Sequence, residues 1–268
     1  MAHKYFTSDL HFGSSVLLDK NAMGNDVRSF MSLDDMHIAL QKALARANDI
    51  HDTLYHLGDF CCIGNDRTWN GLKDKPTALT FFDSIKCNKI FIEGNHDNNN
   101  LNICCGKMLI EKIGKYYATL QHRPSYDEKA IHIHAPIAIT SYQGYPVYLN
   151  ICGHCHNTWK VAFDNERLIL NINVGIDRNN FKIYSEPELI QLIQLAIQWL
   201  SAVENDTTIG LFDEWYSQHI NVRNQHNYAQ HVKSAIYKAL YKPELLTEKD
   251  RKYLEHVDEI SERILQML

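Results

Sequence analysis

The stretch Asn150–Asn157, NICGHCHN, gathers two thiols and two imidazoles around a single glycine, and its reading decides the fold. Read through sulfur, Cys152 to His156 is a C-x-x-C-H pattern, the mark of haem attachment, and C-x-x-C alone is a redox or zinc half-site. Read through nitrogen, Gly153-His154-Cys155-His156 offers two imidazoles to some other metal at the point where an apolar run, Val147–Ile151, gives out. The rest of the chain chooses between them.

The 268 residues and 31.1 kDa suit one large domain with an appendage, or two modest domains, with a sizeable buried core. With 45% hydrophobic and 22% charged residues the composition is that of an ordinary soluble globular protein. A formal charge of −5 opposes a broad surface for long nucleic acid but leaves room for a small nucleotide. The opening MAHKYFTSDL lacks an apolar leader core, and no apolar run approaches the ~18 residues of a spanning helix, so no membrane association and a cytoplasmic location are expected. Seven cysteines, two adjacent pairs among them, do not resemble a secreted disulfide framework. Covalent haem normally needs an exported chain, a redox C-x-x-C needs a helix N-terminus, and four-ligand zinc needs a second ligand pair. None of these is visible, so the two histidines lead.

Short strand-like runs recur at Lys4–Thr7, Thr53–Leu57, Lys89–Ile92, Ile131–Ile133, Val147–Ile151 and Leu168–Val174. Ser32-Leu-Asp-Asp35 opens a helix whose Met36, Ala39, Leu40, Ala43, Leu44 and Ala47 share a face, and a second helix is expected over about 77–85. Strand, helix, strand repeated in this way predicts an α/β fold with two facing mixed sheets flanked by helices. Ser185-Glu-Pro-Glu188 starts a further helix, and the polar, glycine-terminated stretch Glu204–Gly210 marks a boundary. Residues 1–203 are therefore expected to form the main domain and 204–268 a helical C-terminal extension.

The candidate chemistry sits where these strands end. Asp9 and His11 form D-x-H after the first, Gly58-Asp59 follows the second, and Gly94-Asn95-His96-Asp97 the third. Ligands of open α/β sheets bind outside the carboxyl ends of strands, which is where all three fall. Ile131-His-Ile-His134-Ala-Pro136 and Gly153-His154-Cys-His156 extend the series. In this order, DLH, GD, GNHD, a histidine before x-Pro and GHxH resemble the calcineurin-like metallophosphoesterase superfamily, and Asn173-Val-Gly-Ile-Asp177 resembles a closing segment common in small phage and bacterial members.

That resemblance implies an αββα sandwich around a two-metal centre. Asp9, His11 and His156 would hold one metal, Asn95, His134 and His154 the other, and Asp59 would bridge them. His132 competes with His134, whose x-Pro placement favours it. Carboxylate, amide and imidazole donors suit Mn²⁺ first, with Fe, Zn²⁺, Ni²⁺ or Mg²⁺ compatible. His96 would face substrate as the catalytic histidine, with Asp97 orienting its ring, and Arg28 is a candidate phosphate clamp. The implied reaction is hydrolysis of a phosphomonoester or phosphodiester, of small nucleotide type, by in-line attack of a metal-bridging hydroxide. The alternative is a non-catalytic scaffold of the same fold that binds a protein through its helical tail. A homo-oligomer or protein contact through residues 211–268 is expected in either case. Tyr126, Tyr142 and Tyr145 are candidates for stacking on a base, against ordinary half-buried packing.

Overall fold

The computed structural model describes residues 2–18, 28–61, 76–97, 103–125, 141–205 and 211–217. Contacts divide the chain into two compact units, Met1–Thr208 and Ile209–Leu268. The first unit carries the sheets. Of the second, residues 212–217 are helical, with Phe212 stacked on Tyr216 at 5.2 Å.

The first sheet runs in the order β11 (Tyr184–Ser185), β1 (Lys4–Thr7), β2 (Thr53–Leu57), β3 (Asn88–Ile92), β4 (Cys104–Gly106). Strands β1 to β4 are parallel, and β11 closes one edge antiparallel to β1. The second sheet runs β5 (Met108–Ile113), β6 (Tyr116–Gln121), β8 (Tyr145–Cys152), β10 (Ile169–Asn173), β9 (Val161–Asp164), with β7 (Ser141–Tyr142) paired to β8. Here β6, β8 and β10 are parallel, while β5, β7 and β9 are antiparallel additions. Lys4 of the first sheet donates to Glu111 of the second at 2.7 Å, which ties the facing surfaces together. The expected two-sheet α/β architecture is what forms.

Local chemistry explains the helices. In α1 (Leu33–Leu44), the Ser32 hydroxyl caps the first turn by accepting from Asp35 N at 3.1 Å. Met36, Leu40, Ala43 and Leu44 then fall on one face and bury against Leu54 and Phe91 of the sheet, with Phe81 from α2 (Pro76–Ser84). Helix α3 (Glu186–Asn205) starts with a capping box, since Ser185 N and Oγ both donate to Glu188 Oε2 at 2.8 and 2.7 Å.

The second sheet is held at its functional end by a buried amide network. Asn171 Oδ1 accepts from Ser125 N and from Asn150 Nδ2, and Asn150 Nδ2 also donates to the Arg123 carbonyl. Thr119 and Gln121 donate to Asn150 Oδ1. These bonds fix the chain leaving β6 against the ends of β8 and β10, where an unpaired buried amide would be costly. Tyr142 and Tyr145 pack on Tyr117 at the other end of β8, roughly 20 Å of strand away from Cys152. Both are exposed there, remote from the ligand cluster. Tyr126 and the expected strand Ile131–Ile133 lie outside the described residues.

Replacing Asn171 by Ala strands the Ser125 N–H and removes one of the two acceptors of Asn150 Nδ2. A loss of about 2–3 kcal/mol is expected. Urea unfolding followed by fluorescence should show the lower midpoint; an unchanged midpoint would mean the network carries no stability.

Candidate metal centre

The ends of β1, β2, β3, β6 and β8 converge on one spot, and the backbone there is unusual. Asp9, His11, Asp59, His154 and His156 all have positive φ, at 57°, 46°, 58°, 68° and 42°. Each left-handed residue without a glycine costs ~1–2 kcal/mol, so a run of them needs strong bonding to persist. Asp9 N donates to Gly58 O, His11 N to Asp59 O and Phe12 N to Phe60 O, which zips the first two loops together. The two glycines of GNHD and GHxH matter for closeness: a Cβ on Gly94 would strike the Asp59 carboxylate, and one on Gly153 would strike Ser8 Oγ and Asp9.

Within this frame, Asp9 and Asp59 are buried with the histidines around them. The carboxylate of Asp9 accepts from His154 N at 2.9 Å. His11 Nε2 lies 3.6 Å from Asp59 and 3.9 Å from Asp9, and its ring stacks 5.1 Å from that of His156. His122 Nε2 stands 3.2 Å from Asp59 Oδ2 and 3.0 Å from Asn95 Oδ1. His154 packs beside His122 at 5.1 Å and accepts a hydrogen bond from Arg123. Two groups of donor atoms close enough to share an ion result: Asp9, His11 and His156, and Asp9, Asp59 and His122.

Electrostatics fit cation binding. Burial drives the His11 imidazole well below its ordinary range, so it is neutral, and both its ring nitrogens are buried without a hydrogen-bond partner. An orphaned lone pair beside two carboxylates is a donor set that fits a cation. Burial opposes the charge of Asp59, but His122 outweighs it and holds the carboxyl well below its ordinary range; burial raises Asp9. For His122, burial acts downward, yet Asp59 lifts the imidazole to about 9.

The supporting groups orient the ligands. His122 Nδ1 donates to Leu57 O at 2.8 Å and His156 Nδ1 to Asp177 Oδ2 at 2.8 Å, so each presents Nε2 to the centre. A ligating histidine is normally held in this way by its second nitrogen. Asp177 in turn receives Arg28 Nε at 2.7 Å and Nη2 at 3.0 Å, while Arg28 also donates to the carbonyls of Leu10 (2.8 Å) and Asp9 (2.5 Å). Asn173 Nδ2 donates to the carbonyls of His156 and Trp159 and so anchors the GHxH loop.

The sequence expectations are met unevenly. Asp9, His11, Asp59, Asn95, His154 and His156 are brought together, and His96 sits at their edge, half-buried, its N–H on Asp59 Oδ1 and its ring 5.5 Å from His11. Arg28 is corrected: its guanidinium is buried and engaged with Asp177 and two carbonyls, so it braces the site instead of clamping a phosphate. Asp97 is buried beside the same loops. Its carboxylate accepts from the N–H groups of Asp59, Phe60 and Gly94, which fastens two loops. His134 and His132 lie outside the described residues; among the described residues, His122 meets both Asn95 and Asp59 through Nε2. The signal for it was available: His122-Arg-Pro124 is also a histidine before x-Pro at a strand end. Cys152 is a buried free thiol whose pKa burial raises well above normal, so it is inert packing.

Such a cluster at the carboxyl ends of a two-sheet sandwich is a candidate metal-binding site. The chain belongs to the calcineurin-like phosphoesterase family, whose pattern matches residues 4–244. Among solved structures it is similar to a protein of unknown function from Aquifex aeolicus, at 24% identity and TM-score 0.48, covering 72% of this chain and 100% of the other. A predicted phosphoesterase from Streptococcus pneumoniae aligns at 13% identity and TM-score 0.30, covering 65% and 72%. Vps29 from Chaetomium thermophilum aligns at 10% identity and TM-score 0.33, covering 65% and 70%. No curated protein matches the chain significantly. Among the described residues no helix is long and apolar enough to cross a membrane.

Two measurements check this account. Removing Arg28 leaves Asp177 buried without its cation, so Arg28→Met should lose about 3–5 kcal/mol in urea unfolding of the metal-free protein; an unchanged midpoint would restore the exposed-clamp view. Because the folded value of His122, about 9, lies above the ordinary ~6.5, its proton stabilises the metal-free fold fully below pH ~6.5 and this contribution is lost as pH rises through 9. Cation uptake displaces that proton, so Mn²⁺ affinity should rise with pH up to about 9, and calorimetry near pH 7 should show heats that vary with the buffer's ionisation enthalpy. Buffer-independent heats would contradict it.

Proposed function

We propose that the protein is a two-metal phosphoester hydrolase acting on a small substrate of nucleotide type. The observation that carries the reading is the convergence of three carboxylate or amide donors, Asp9, Asp59 and Asn95, with the imidazoles of His11, His122, His154 and His156, on a spot that also keeps a half-exposed histidine. Asp9, His11 and His156 would hold one cation and Asn95, His122 and His154 the other, with Asp59 shared between them. Oxygen and imidazole donors without thiolate favour Mn²⁺, with Fe, Zn²⁺, Ni²⁺ or Mg²⁺ as alternatives. Two divalent cations in such a site lower the pKa of water and neutralise charge on the phosphoryl oxygens.

The remaining work belongs to the chain. Asp177 and Leu57 O keep His156 and His122 in the tautomer that presents Nε2. Asp97 and Arg28 hold the loops so that the donors do not have to reorganise. His96 is placed to give a proton to the leaving oxygen, since its backbone is fixed by Asp59 while its ring stands at the margin of the cluster. General acid help of this kind contributes ~10²–10⁴-fold.

Hydrolysis of bis-p-nitrophenyl phosphate and p-nitrophenyl phosphate with Mn²⁺ tests the proposal. His96→Ala should lose ~10²–10⁴ in kcat with unchanged metal content. Equal turnover by both proteins would remove His96 from the mechanism, and no metal-dependent turnover of any phosphoester would favour the scaffold alternative.

A further inference from the structure

A second cleft opens where the last turns of α1 face the turn at 179–182. It encloses about 620 Å³, within the ~300–1,000 Å³ common for small-molecule sites. Its lining comes from α1 and the residues just after it, from this turn and from the start of α3, and includes no member of the metal cluster. Ala39, Ala43 and the ring of Phe181 form an apolar wall, while Lys42, Arg46 and Lys182 bring positive charge. In a chain of formal charge −5, three cations around one cleft are a local reversal of sign, which draws anions to it.

The charges inside the cleft do not cancel. Its one carboxylate, Glu188, is committed: it accepts from Ser185 N and Oγ, and each of its oxygens lies 3.0 Å from Arg46 Nη2. Arg46 Nη1 is spent on the Ile183 carbonyl at 2.7 Å. Lys42 and Lys182 are exposed, and among the described residues neither ammonium group has a hydrogen bond or an ion pair. The apolar wall, by contrast, is fixed in advance. Phe181 meets Phe30 edge-on at 4.8 Å and lies 5.4 Å from the Arg28 guanidinium. Its backbone is left-handed, as is that of Asn180, with φ of 55° and 50°. Phe181 N on Ile176 O at 3.0 Å and Asn179 Nδ2 on Lys182 O at 2.6 Å hold this strained turn against α1. A rigid ring beside two uncommitted cations lowers the ordering cost of binding a molecule that is flat at one end and anionic at the other.

We infer that this cleft is a second ligand site, separate from the metal centre, for a small organic phosphate of the size of a nucleoside monophosphate. The phosphate dianion sits between Lys42 and Lys182, and the apolar body rests on Phe181, Ala39 and Ala43. Two lysines, as point charges on flexible stems, suit a terminal phosphate that approaches from solvent. The site does not depend on the hydrolase reading, because none of its residues touches a reacting group of that reading.

Calorimetry on the full chain tests this, with AMP as the probe and a chelator present so that no cation at the metal centre can hold the phosphate. AMP should saturate a single site, with an affinity that falls as salt is raised. Lys42→Gln combined with Lys182→Gln should bind AMP roughly tenfold or more weakly, and adenosine should bind wild type more weakly by a similar factor. Both lysines are exposed, so the double variant should keep the thermal midpoint of wild type. No saturable AMP binding, equal affinity in the double variant, or adenosine binding as tightly as AMP would each overturn the inference. So would AMP binding that appears only with Mn²⁺, since the nucleotide would then sit at the metal centre.

Discussion

The structure depends on bringing two buried carboxylates, Asp9 and Asp59, into one low-dielectric spot. Like charges held close in the interior repel strongly, and each loses its hydration. Compensation comes from every loop that reaches the site: His154 N on Asp9, His96 N on Asp59, and the imidazoles of His11 and His122 alongside. The left-handed residues and the crowded glycines arise from the same demand, because five chain segments must turn sharply within a few ångströms of one another. Strain of this kind survives where surrounding bonds over-determine it, as functional sites commonly do.

Around that centre, the chain separates holding from reacting. Arg28, Asp97 and Asn173 are spent on backbone carbonyls, backbone N–H groups and one carboxylate, and their burial keeps water from competing. His96 is half-buried at the margin, with its backbone N–H held by Asp59. A rigid inner layer with a more open rim is what a hydrolase of small phosphoesters needs, since the ligands must not reorganise while the substrate must enter.

What the sequence could disclose was local. Asp9, His11, Asp59, Asn95, His154 and His156 announce themselves because each comes after an apolar run and stands next to, or within a short motif with, glycine or another donor. Capping boxes at Ser32 and Ser185 are likewise readable from four residues. The hairpin β5–β6 escaped the sequence expectations, although Met108–Ile113 alternates and Gly114-Lys115 makes a two-residue turn closed by the Ile113 and Tyr116 pair. With β6 unrecognised, nothing marks His122 as a residue at a strand end. Arg28 misleads for a different reason: its partner Asp177 is 149 residues away, and no local pattern reports a buried pair across that distance. Only the fold decides whether an arginine faces solvent or a carboxylate.

The central claim is that these side chains form one centre able to hold two cations as a pair. Electron paramagnetic resonance of the protein titrated with Mn²⁺ tests it most directly. Two ions sharing Asp59 should lie roughly 3.5–4 Å apart and give an exchange-coupled spectrum as the second equivalent binds. A single isolated six-line Mn²⁺ signal that persists through two equivalents, or no bound Mn²⁺ at all, would contradict it.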